Sequence, residues 1–114
     1  MVNIYDDINR LEVSFRKTPE FAAVQQAIGE VKKDPEALAI FQNFRKIQLS
    51  LQEQQMQGKQ ISGEELEYAQ KTAQLAQQNP KIAAMLQAEM NLSKIIEEIN
   101  RILMKPVQDL YTGM

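Results

Sequence analysis

Apolar residues recur at intervals of three and four along most of the chain: Ile4, Ile8, Leu11 and Phe15, then Phe21, Val24, Ile28 and Val31, and later Leu92, Ile96, Ile99 and Leu103. Such spacing puts each set on one face of an α-helix, and no segment shows the alternation of a half-buried strand. Three pairs, Thr18-Pro19, Asp34-Pro35 and Asn79-Pro80, set a capping side chain before a proline, whose fixed φ and missing N–H suit the first helical position. Ser62-Gly63-Glu64-Glu65 has the spacing of a capping box, and Gly58 upstream can terminate the preceding helix. The pattern predicts helices over 4–17, 19–33, 35–57, 63–78 and 80–105, with Pro106 ending or kinking the last before a tail carrying Val107, Leu110 and Tyr111.

Charges follow the helix dipole. Asp6, Asp7, Glu20, Glu36, Glu64 and Glu65 fall in first turns, while Arg16, Lys17, Lys32, Lys33, Arg101 and Lys105 fall in last turns. Lys81 breaks the rule, standing at the positive end of the fifth helix. The carboxylates Glu64, Glu65 and Glu67 are therefore read as first-turn charges and not as a cation site.

The third helix carries more apolar circumference than one core can cover. At 100° per residue, Ile40, Phe44, Ile47 and Leu51 align, while Leu38, Leu49 and Met56 form a second line about 160° away, with Phe41 between. A core-facing helix typically needs an apolar stripe of about 100°. At about 1.5 Å per residue the third and fifth helices run on the order of 33 to 38 Å, which predicts an elongated, oligomeric bundle dominated by a long antiparallel hairpin. Leu38, Phe41, Phe44, Arg45, Gln48, Leu51 and Gln52 mix apolar anchors with groups that hydrogen-bond across an interface, and they are the expected protein-interaction surface. Leu92, Ile96, Ile99 and Leu103 are expected in the hairpin core. Leu66, Ala69, Ala73 and Ala76 form a small-residue side on the fourth helix, expected to pack closely on the fifth.

A chain of 114 residues, 44% hydrophobic and 25% charged, is expected to fold as a single helical domain over 1–114. It has no histidine, cysteine or tryptophan, which removes the common proton shuttle, the nucleophilic thiol and the soft metal ligands. Glu89, Glu97 and Glu98 lack the histidines of a di-iron bundle. No catalytic residue, metal or cofactor is expected, and the chain is not read as an enzyme. A net charge of −2 offers no field for nucleic acid or anionic lipid, and the basic doublets Lys32-Lys33 and Arg45-Lys46 lack aromatic interleaving. No apolar run approaches the roughly 20 residues of a membrane span, and residues 1–10 do not have the order of a signal peptide, so a cytoplasmic location is expected. Expected partners are a second copy and another protein; direct nucleic-acid, membrane or small-molecule binding is not expected.

The stretch Phe41-Gln42-Asn43-Phe44-Arg45-Lys46-Ile47-Gln48-Leu49, continuing through Gln52, Gln55, Met56 and Gly58, resembles the signature of the YheA/YmcA/YlbF-like family of small bacterial helical proteins. Ala69-Gln70-Lys71-Thr72, Ala88-Glu89-Met90, Met104-Lys105-Pro106 and Leu110-Tyr111 extend the likeness over nearly the whole chain, nearest to the YheA branch. The resemblance implies an all-α fold in Gram-positive cytoplasm, assembled as a dimer or larger oligomer. For the YmcA and YlbF cousins it implies roles in competence, sporulation and biofilm development, through a complex that binds iron–sulfur clusters and assists an endoribonuclease in RNA maturation. Cluster binding there relies on cysteine thiolates, and this chain has none. The expected function is thus a non-catalytic adaptor or regulatory protein, with a cluster-free accessory role in RNA processing as the alternative.

Overall fold

The computed structural model describes residues 2–114, which form five α-helices and, among those residues, no strand: α1 (Ile4–Arg16), α2 (Pro19–Lys33), α3 (Pro35–Met56), α4 (Gly63–Gln78) and α5 (Pro80–Tyr111). The caps create these boundaries. Asp34 Oδ1 accepts from the amides of Glu36 and Ala37 at 3.0 and 3.3 Å, and Asn79 Oδ1 from those of Lys81 and Ile82 at 3.0 and 3.2 Å. Ser62 Oγ accepts from Glu65 N at 3.1 Å. Thr18 joins two helices: its hydroxyl donates to the Phe15 carbonyl at 2.8 Å and accepts from Phe21 N at 3.2 Å. Each bond satisfies a polar group that a helix end leaves unpaired.

Gly58 closes α3 at φ +73, with Lys59 N donating to Gln54 O at 2.9 Å and Gly58 N to Gln55 O at 3.1 Å. This pair of bonds is the Schellman arrangement, whose left-handed residue favours glycine. Of the two outcomes expected at Pro106, an end or a kink, the end is corrected: α5 continues through it to Tyr111. Proline removes a single donor, to the carbonyl four residues back, and Ile102 there is exposed so that water can take its place.

The chain divides into two compact units, one running to Gln25 and resuming at Gln87, the other spanning Gln26–Leu86. In the second, Val31 of α2, Ala37 of α3, Ala76 of α4, and Ile82 and Met85 of α5 form a buried core, with Ala27, Ile28, Ile40, Phe41, Phe44 and Leu86 packed against it. Burying a side chain the size of Ile82 or Met85 contributes about 1.5–3 kcal/mol. Helix α4 packs on α3 and not on the expected α5, and of its small-residue side Ala76 is buried and Ala69 and Ala73 half-buried, while Leu66 is exposed. Asn79 alone separates α4 from α5, too little chain for a reversal, whereas residues 57–62 let α4 fold back along α3. Thr72, buried on that side, satisfies its hydroxyl on the Tyr68 carbonyl of its own helix at 2.8 Å.

Candidate interaction surface

The seven residues expected to form an association surface on α3 divide into two groups. Leu38, Phe41, Phe44 and Leu51 are half-buried, while Arg45, Gln48 and Gln52 are exposed. Phe41 and Phe44, with ring centroids 6.4 Å apart and planes tilted by 44°, lie against the core of their unit. They therefore spend much of their apolar area inside the chain. Leu51 lines a shallow groove of about 220 Å³ with Ile47, Ser50 and Gln54, facing Glu65 and Tyr68 of α4. The second apolar line of α3 is open beyond Leu38: Leu49 is 55% exposed and Met56 82%.

A larger uncovered surface lies in the other unit. Helix α1 buries none of its residues. Its Ile8, Leu11, Glu12 and Phe15 share an almost wholly apolar groove of about 280 Å³ with Ile96 and Ile99 of α5. Phe15 meets Phe21 edge-on at 5.6 Å, fixing the α1–α2 corner. The expectation of a hairpin core through Leu92, Ile96, Ile99 and Leu103 needs correction. Leu92 and Ile99 are half-buried, but Ile96 is exposed and Leu103 is 60% exposed, as is Leu110 at 78%. Sequence reasoning stopped at Pro106 and so missed Leu110 as part of this face. The signal was present, because the three- and four-residue spacing of Leu92, Ile96, Ile99 and Leu103 resumes in register at Leu110.

Two of the candidate carboxylates are paired within their own helices. Glu98 accepts two hydrogen bonds from Arg101, which hold its carboxyl below the usual carboxylate range, and Glu67 pairs with Lys71 at 3.4 Å. Among the described residues no three or more carboxylates gather to hold a metal ion. Without thiolate or imidazole, the donor set does not fit an iron–sulfur cluster. No helix among the described residues is long and apolar enough to cross a membrane.

A family profile described as control of competence regulator ComK, YlbF/YmcA, matches residues 4–108. The chain is 64% identical over 111 residues to a UPF0342 protein of Lysinibacillus sphaericus, covering 97% of this chain and 96% of the relative. It is 44% identical over 110 residues to a UPF0342 protein of Listeria monocytogenes, covering 96% and 94%. Among solved structures it is similar to a DUF964 protein from Bacillus stearothermophilus, with TM-score 0.89, 37% identity and 97% of both chains covered. The yheA protein from Bacillus subtilis superposes with TM-score 0.76 at 36% identity, over 96% of this chain and 100% of that one.

Proposed function

The chain belongs to the YlbF/YmcA family described as control of competence regulator ComK, and from that membership we propose that it is a non-catalytic, self-associating regulatory protein of the cytoplasm that acts by binding another protein. The observation that carries the reading is the outward side of α3, where exposed Arg45, Gln48 and Gln52 accompany the open apolar side chains of Leu49 and Met56. Guanidinium and amide groups beside uncovered apolar surface suit recognition of a protein chain. The missing histidine and cysteine argue the same way, since the remaining acids and amines would have to supply any chemistry alone.

Affinity capture from the native cytoplasm tests this. The expected result is one protein recovered at fixed stoichiometry and lost with Arg45→Glu or Gln52→Lys, both exposed positions whose substitution leaves the core intact. Recovery equal for parent and variants would rule out α3 as the recognition surface.

A further inference from the structure

The groove between α3 and α4 lies wholly within the second unit, with Ile47, Ser50, Leu51 and Gln54 on one side and Glu65 and Tyr68 on the other. Ile47 and Leu51 are half-buried and supply its apolar part, while Tyr68 stays 55% exposed. At about 220 Å³ it falls below the roughly 300–1,000 Å³ of a small-molecule pocket, so it has room for one side chain of a partner and not for a free ligand. Its polar groups leave acceptors open. Gln54 turns its amide nitrogen to the Ser50 hydroxyl at 3.5 Å, and its carbonyl oxygen has no partner among the described residues. Glu65 is the one charged residue of the six. Ser62 Oγ accepts from Glu65 N, but the reciprocal bond of a capping box, from the Ser62 amide to the Glu65 carboxylate, is absent among the described residues. No lysine or arginine among them pairs with that carboxylate either.

We propose that this groove seats one arginine side chain from a segment of a partner protein that carries apolar residues beside it. Long basic side chains lay their methylene stems on apolar surface and keep the head group at polar atoms, so the stem covers Ile47 and Leu51 while the guanidinium reaches Glu65. Arginine fits better than lysine. Its planar fork meets a carboxylate with two hydrogen bonds and stacks on an aromatic face, here the exposed ring of Tyr68. Charge sets the sign, because a groove that holds a carboxylate and no cation disfavours an acidic segment or a phosphate backbone. The site goes beyond the recognition surface proposed above: at 100° per residue, Ile47, Leu51 and Gln54 face nearly opposite to Arg45, Leu49, Gln52 and Met56. The two sites stand or fall separately.

Nuclear magnetic resonance of the full chain, titrated with an acetylated and amidated Ala-Leu-Arg-Leu-Ala peptide at about 0.15 M salt, where separate charges are screened, tests the site. Saturable shifts are expected at Ile47, Leu51, Gln54, Glu65 and Tyr68. Affinity should fall about fivefold with Glu65→Gln, and equally with a peptide carrying citrulline, which keeps the shape of arginine and loses its charge. Glu65 is exposed and its bond to Ser62 uses the backbone amide, so this variant keeps the fold. Glu64→Gln removes the same charge next to the groove but outside its lining, and should leave the affinity unchanged. Equal losses from the two variants would reduce the attraction to the general acidity of the helix start and overturn the proposal. So would the absence of saturable shifts at millimolar peptide, or shifts confined to the outward side of α3. Groove resonances that move with protein concentration before any peptide is added would give the groove to a second copy and overturn it too.

Discussion

Lys81 Nζ lies 3.1 Å from Asp34 Oδ2, joining the first turn of α5 to the residue that caps α3. A lysine at a helix N-terminus is unfavourable by the dipole, and the tertiary contact accounts for it. The two side chains keep 43% and 29% of their surface, so water still screens the pair. Asp34 accepts from the Ala37 amide, from Lys81 and from the Glu36 amide, which together hold its carboxyl below the ordinary value of 3.8.

A depressed folded-state pKa gives a pH prediction. The stabilisation is fully present above the ordinary value of 3.8 and is lost as pH falls from there through the lower folded-state value. Asp34→Asn keeps a capping oxygen and removes the charge. The variant should be less stable than the parent at pH 7, and denaturant titrations at pH 3 should show the gap narrowed. An equal gap at both values would mean that the charge contributes nothing.

Ile82, fully buried at the centre of its unit, should be the most sensitive single position on α5. Ile82→Ala removes buried methylenes and leaves a cavity, and should cost about 2–5 kcal/mol in urea unfolding. A loss of less than about 1 kcal/mol would place the core elsewhere.

Ala76 tests the close approach of α4 to α3. It has no exposed surface, so Ala76→Leu must push the helices apart and should cost about 1–3 kcal/mol. The same change at exposed Ala83 of α5 should alter stability by less than about 0.5 kcal/mol, measured in the same titration.

Two backbone positions should respond in opposite directions. Gly58→Ala places a Cβ on a left-handed residue at the end of α3 and should destabilise by about 1–2 kcal/mol, even though nothing lies within 4 Å of that Cβ. Pro106→Ala restores an amide inside α5 and should raise stability by up to about 3 kcal/mol, with increased helical circular dichroism.

Helix starts were legible because capping is local. Asp34, Ser62 and Asn79 bond amides two or three residues ahead, and the adjoining prolines or glycine identify the same boundaries. Whether Pro106 ends the helix or lets it run on is not legible in the sequence, because the lost bond depends on whether the facing carbonyl is wet, which follows from exposure. The candidate residues on α3 lie where the periodicity puts them, but it could not separate Phe41 and Phe44, committed to the internal core, from Arg45, Gln48 and Gln52, which face outward.

Sequence alone determined five helices, their first residues and which positions share a face, since each depends on contacts within a turn or two of chain. The tertiary structure alone decided that α4 lies on α3, that Lys81 answers Asp34 and that the face of α1 and α5 is left open. Apolar burial has no direction of its own. A greasy stripe states that it needs a partner, and chain reversal and packing decide which one it receives.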